Sequence, residues 1–238
     1  NELIHVERIA SLGKLSSSVA HEINNPLSGV LTYTKLVNKQ LRNQRMDEKA
    51  QQSMLKYLTI IEQETKRCGD IVKGLLDFSR NDQQNFQPRH LHPILKETYD
   101  LMAHQMEISN IKFSTQLEAT KDMVNCSQNQ IKQACVAIIQ NASEAITEDG
   151  VITVRTVNPD KDHIKIDIED NGVGIASEDI PHLFEPFFSA KQKTSGIGLG
   201  LAIVHGIVQS HQGKIEVDSK VGAGTTISII LPLTFEKE

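Results

Sequence analysis

Residues Ser18 to Pro26 read Ser-Val-Ala-His-Glu-Ile-Asn-Asn-Pro, which sets the imidazole of His21 beside the carboxylate of Glu22. A neutral imidazole nitrogen is a competent nucleophile near neutral pH, because histidine titrates at about 6.5. As a bond forms at one ring nitrogen the ring must shed a proton, and Glu22 is placed to accept it. That chemistry suits a phosphoryl acceptor. Asn25 follows His21 by four residues and shares its face of a helix. A zinc motif of the His-Glu-x-x-His kind is excluded, because Asn25 stands in place of the second histidine.

Three glycine clusters lie far downstream: Asp170-Asn171-Gly172-Val173-Gly174, Gly196-Ile197-Gly198-Leu199-Gly200-Leu201, and Gly222-Ala223-Gly224-Thr225. Glycine lets backbone approach a ligand closely, and amides at a helix start bind phosphate. The second cluster is not a dinucleotide fingerprint, since Leu201 occupies the third glycine position, and no Walker A sequence is present. The clusters read as a nucleotide pocket outside those two families.

Two long helical patterns must carry His21. Ile9, Leu12, Ser16, Val19, Ile23, Pro26, Val30, Tyr33 and Val37 recur at steps of three and four, as do Leu58, Ile61, Thr65, Cys68, Val72 and Leu75. With Ile9 at heptad position a, His21 falls at f, away from the seam. Pro26 should bend the first helix, and polar residues 38–52 predict a hairpin connection. Two helices bury too little alone, so the pair is expected to dimerise into a four-helix bundle. The alternative is a hairpin packed on the rest of the chain.

Polar residues 81–88 read as a linker between a unit over 1–80 and a second over 89–238. Beyond it, helices near 91–106, 128–146 and 198–211 alternate with strands near 111–117, 122–126, 150–157, 163–169, 214–219 and 225–231. Ile164, Ile166 and Ile168 alternate with Lys165, Asp167 and Glu169, the pattern of a strand with one wet face. In 128–146, Ile131, Ala134, Cys135, Ile138 and Ile139 should face inward. The fold class is an α helical hairpin followed by an α/β sandwich.

His21-Glu-Ile-Asn-Asn-Pro-Leu27 resembles the H-box of two-component sensor histidine kinases, and the glycine clusters follow in that family's order. The likeness covers about residues 10 to 233 and is nearest the nitrogen-regulation-like branch. The second half resembles the ATPase fold shared with gyrase, mismatch-repair and some chaperone ATPases. The resemblance implies ATP as substrate, with His21 phosphorylated, Glu22 as general base and Asn25 orienting water for a phosphatase reaction. It implies that Asn141 holds Mg²⁺ and that Asp170 accepts a hydrogen bond from adenine. Gly172 and Gly174 keep side chains from the base, and Thr225 lies near it. Leu183 to Phe188 resembles the base of a lid, with Lys191 a candidate phosphate partner. Gly196, Gly198, Gly200 and Leu201 lead into a phosphate-binding helix start. Two departures stand out: Ala137 replaces an earlier Asn of the family's N-box, and Glu144 stands where many members have Lys. The implied partners are a second copy of the chain and the receiver domain of a response regulator, to whose aspartate the phosphoryl group passes. A superfamily ATPase that drives conformational change, or a non-catalytic dimeric scaffold, are the rival readings.

The chain has 238 residues, 39% hydrophobic and 23% charged, as expected of a soluble globular protein. A net charge of -5 offers no basic footprint for nucleic acid. No apolar run is long enough for a bilayer, so no membrane contact is expected within this fragment and its expected place is cytoplasmic, a membrane-anchored parent protein being left open. Three cysteines are too few and too scattered for a disulfide framework and read as small buried side chains. The chain begins with Asn1 inside a helical pattern, which reads as a fragment of a longer protein.

Overall fold

The computed structural model describes residues 23–42, 47–79, 86–188 and 198–234 (side chains only to 72 within the second stretch, residue 70 excepted). The chain divides into two compact units, a helical one within 1–80 and an α/β one beyond it.

In the helical unit α1 occupies residues 23–42 and α2 runs Glu48–Ser79. The polar stretch 38–52 is therefore mostly helix rather than connection. Asp47 starts α2, its Oδ1 accepting the Ala50 N–H at 2.7 Å, as an N-cap does. The polar residues flanking the connection are solvated helix faces. The helices run antiparallel: the Tyr33 and Tyr57 rings lie 5.6 Å apart, while Gly29 faces Glu64. Pro26 and Ile71 are buried and Val30, Tyr33 and Val37 half-buried, so the expected α1 seam faces α2. The expected α2 seam splits. Ile61 and Cys68 are half-buried, but Leu58, Thr65 and Val72 are exposed. They belong to a second stripe with Leu55, matched on α1 by Leu27, Leu31 and Leu41.

The α/β unit comprises β1 Gln87–His90, α3 Leu91–Ile108, β2 Ile111–Leu117, β3 Met123–Cys126 and α4 Gln128–Ala145. There follow β4 Gly150–Val157, β5 His163–Asp170, a 3-10 turn Ile180–His182, α5 Gly200–Ser210, β6 Lys214–Lys220 and β7 Gly224–Pro232. Five strands form one sheet in the order β2-β4-β5-β7-β6. β2 and β4 are parallel and the other neighbours antiparallel. β1 and β3 make a separate antiparallel ribbon. β1 takes Gln87 and Pro88 from the stretch read as linker. All four of its residues are exposed, so no apolar signal marks it.

Alternation along the strands explains the layers. Ile152, Val154, Ile164, Ile166, Ile168, Ile227, Ile229 and Leu231 project from one face into a single core. Ile131, Ala134, Cys135, Ile138 and Ile139 of α4 meet them there, as their spacing predicts. The other face is polar: the Lys165 ammonium lies 3.0 Å from Asp167, whose carboxylate also accepts the Ser228 hydroxyl at 2.6 Å. α4 packs on β4 and β5 with α3 and α5 on either side, giving one helical layer. Cys126 and Cys135 are buried, Cys68 is half-buried, and all three are free thiols. Burial pushes the Cys126 thiol up to about 11 and that of Cys135 to about 12, so neither is a nucleophile at neutral pH. Among the described residues no helix is long and apolar enough to cross a membrane.

Candidate active site

The site is built where β5 ends and β7 begins, against the last turn of α4. Asp170, the final residue of β5, is paired in register with Thr225 of β7, and both are buried. The Asp170 carboxylate accepts the Gly172 N–H at 2.8 Å, which tightens the turn that follows. Beyond it the chain is clasped on two sides. Val173 N–H donates to Ala145 O of α4 at 3.0 Å, and Gly222 N–H of the β6–β7 turn donates to Val173 O at 2.8 Å.

These contacts give the glycines a reason that differs from the expected one. A Cβ on Gly172 would lie 2.7 Å from Ala145 O, and one on Gly174 would lie 2.1 Å from Lys220 O. On Gly224 it would meet Asp170 O at 2.0 Å. The glycines are needed because backbone packs on backbone around Asp170.

At the other end Asn141, one turn before Ala145 on α4, is half-buried beside the start of α5. A Cβ built on Gly200 meets nothing closer than the Asn141 amide nitrogen at 3.8 Å, so that surface is open. Leu199 precedes α5 without a side-chain cap, and the first N–H groups of a helix have no partner within it. The leading N–H groups of α5 therefore lie next to Asn141, and Leu201 is half-buried beside them. The approach to α5 is strained. Phe187 has φ +67, a left-handed conformation that costs a bulky residue about 1–3 kcal/mol. Its N–H donates to Gly198 O at 2.9 Å. Gly198 has φ +70, and a Cβ there would lie 2.5 Å from Phe188 O.

A nucleotide with its divalent ion suits this surface: a buried acid on one side, the start of a helix and an amide side chain on the other. Among the described residues no group of three or more His, Cys, Asp or Glu could hold a metal ion. An ion here would draw on the Asn141 oxygen, phosphate oxygens and water, the hard-oxygen set that Mg²⁺ prefers.

Two family models match the chain: His Kinase A (phospho-acceptor) domain over residues 11–84, and Histidine kinase-, DNA gyrase B-, and HSP90-like ATPase over 126–235. The signal transduction histidine-protein kinase AtoS of Escherichia coli (strain K12) is 34% identical over 231 residues, 97% of this chain and 36% of the relative. Sporulation kinase E of Bacillus subtilis (strain 168) is 30% identical over 222 residues, 93% of this chain and 29% of the relative. Histidine kinase ThkA in complex with response regulator protein TrrA superposes with a TM-score of 0.74 at 27% identity, over 98% of this chain and 65% of that one. The chain belongs to the two-component histidine kinase family. The fold is that of the catalytic core in histidine kinases. The chain spans about a third of the length of these two curated relatives.

Of the histidine kinase residues expected from sequence, Asp170, Gly172, Gly174 and Thr225 lie where β5 ends and β7 begins, and Asn141 lies beside Gly200 at the start of α5, with Gly198 just before it and Leu201 just after. Asn25 is exposed on α1 in the helical unit. His21, Glu22, Lys191 and Gly196 lie outside the described residues. Two positions that hold the site were missed. The Asn171 side chain accepts the Val151 N–H at 2.8 Å and donates to Asp149 O at 2.9 Å, stapling the Asp170 turn to the start of β4. The Ser219 hydroxyl accepts the Ile175 N–H at 2.9 Å and lies 2.8 Å from the Thr225 hydroxyl. Asn171 sits inside a recognised motif, so its polar side chain was a signal; nothing local marks Ser219.

Proposed function

We propose that this chain is the catalytic core of a protein-histidine kinase, which phosphorylates His21 from ATP and passes the phosphoryl group to an aspartate of a response regulator. The observation that carries the reading is the closing part of α4, where Ala145 holds the turn that follows the Asp170–Thr225 pair and Asn141 lies beside the first turn of α5. We assign residues 1–80 to dimerisation and phosphotransfer, 81–88 to a linker and 89–238 to nucleotide binding, with a homodimer as the working form.

In this reading the Asp170 carboxylate receives the adenine amino group, and Thr225 lies beside it. The α5 amides, with Gly196, Gly198, Gly200, Leu201 and Lys191, hold the phosphates. Asn141 would hold Mg²⁺, which when bound offsets charge on the transferring phosphoryl group. One ring nitrogen of His21 attacks the γ-phosphorus, the bond to the β-bridging oxygen breaks, and Glu22 takes the ring proton as ADP leaves. The regulator's aspartate carboxylate then displaces the imidazole. Exposed Asn25 supports a reverse role, orienting water toward the phosphorylated regulator. The complex of ThkA with TrrA, to which the chain is similar, supports the choice of a response regulator as partner.

The test is incubation with γ-³²P-ATP. The wild-type chain should take up label that acid removes and base does not, and His21→Gln should take up none while still binding nucleotide. Label on His21→Gln would reject the acceptor; phosphate release without labelled protein would favour a conformational ATPase.

A further inference from the structure

His211 is the one histidine counted among the buried residues described, and no step above uses it. It follows α5 directly, and both ring nitrogens meet backbone of fixed polarity. Ser127 N–H, just before α4, donates to Nε2 at 3.1 Å. Ile207 O of α5 accepts from Nδ1 at 2.8 Å. An amide can only donate and a carbonyl only accept, so the ring is neutral with its proton on Nδ1. The Phe86 ring, 4.4 Å away, covers the imidazole and keeps both bonds in a low-dielectric setting.

This bond joins the two helices of the site at their far ends. α4 carries Asn141 near its close and receives His211 at its opening; α5 opens at Gly200 beside Asn141 and closes at His211. The helices are thus antiparallel, and the junction lies about 20 Å from Asn141 along α4 at about 1.5 Å per residue. Neither α4 nor α5 has a side-chain cap at its start. A slip of α5 by one residue would move its leading amides about 1.5 Å against Asn141, and misplacement of about 1 Å can cost about a hundredfold in function. We propose that His211 is a positioning residue of the nucleotide site, a clamp that fixes α5 along α4 and sets the gap between Asn141 and the first turn of α5. The clamp rests on the nucleotide reading given above.

Two substitutions divide the bonds. His211→Asn retains a donor for Ile207 O where Nδ1 stood but offers Ser127 nothing; His211→Gln retains an acceptor where Nε2 stood. Affinities of the whole chain for a non-hydrolysable ATP analogue with Mg²⁺ are read by calorimetry, those for adenosine by ligand-observed NMR, and folding by circular dichroism. His211→Asn should bind the analogue at least about fivefold more weakly and adenosine within about twofold of wild type, because the clamp sets only the phosphate end. His211→Gln should match wild type for both. Ser127→Pro deletes the same N–H from the other side, at a backbone φ of -88, about 20° from proline's usual value, and should reproduce His211→Asn. Wild-type affinity for the analogue in His211→Asn, or parallel loss of analogue and adenosine, overturns the clamp. A wild-type chain that binds neither ligand refutes the nucleotide reading instead.

Discussion

Burial holds the His211 imidazole below its ordinary titration range, and its bond to Ile207 offsets this only in part. In the unfolded chain the same ring titrates at about 6.5. Between the depressed native value and about 6.5 the unfolded state binds more protons, so stability there rises with pH. The contribution is full above about 6.5 and is lost as pH falls through the native value. Urea titrations of the wild-type chain at pH 7.5 and 5.5 should show a larger loss of midpoint than His211→Gln; equal losses in the two proteins would contradict the linkage. At this scale the sequence disclosed what a short motif can carry. Asp170, Thr225, Asn141 and the glycines announce themselves by neighbours in the chain. His211 does not, because its partner Ser127 is 84 residues away, and Ser219 acts on Ile175 from 44 residues away.

The turn after β5 and the turn between β6 and β7 are joined backbone to backbone, Gly222 N–H donating to Val173 O at 2.8 Å. Gly174, with φ +70, has the Lys220 carbonyl where a Cβ would go. Gly174→Ala should therefore cost about 2 kcal/mol or more, combining left-handed strain with a backbone clash. Gly222→Ala is the control: φ is +79 but nothing lies within 4 Å, so only about 1 kcal/mol of conformational cost is expected. Equal midpoints for the two variants in chemical denaturation would remove the clash from the account. Elements with a buried face were legible almost residue by residue, from the isoleucines of β5 to Ile131–Ile139 of α4. Those without one were not. β1 is wholly exposed, the 3-10 turn at Ile180–His182 has no buried residue, and the ends of α1 and α2 near their connection are polar because water surrounds them.

Across the whole molecule, the helical unit leaves Leu27, Leu31, Leu55, Leu58 and Val72 exposed, each between 48% and 61%. A stripe of this kind is what the proposed homodimer would cover. Leu31→Glu with Leu58→Glu should halve the mass measured by sedimentation while the helix content stays unchanged, and an unaltered mass would rule this face out. The fold class and the helical pair were readable from periodicity alone. The second stripe was not, because one heptad seam was expected where α2 has two, one turned to α1 and one to solvent. A last consequence belongs to β7. It follows β6 in sequence yet lies between β5 and β6 in the sheet, and it brings Thr225 to Asp170. While the polypeptide is still leaving the ribosome, the Asp170–Thr225 pair does not exist. A nascent chain released before Gly224 thus leaves one edge of β5 unpaired for quality control to recognise.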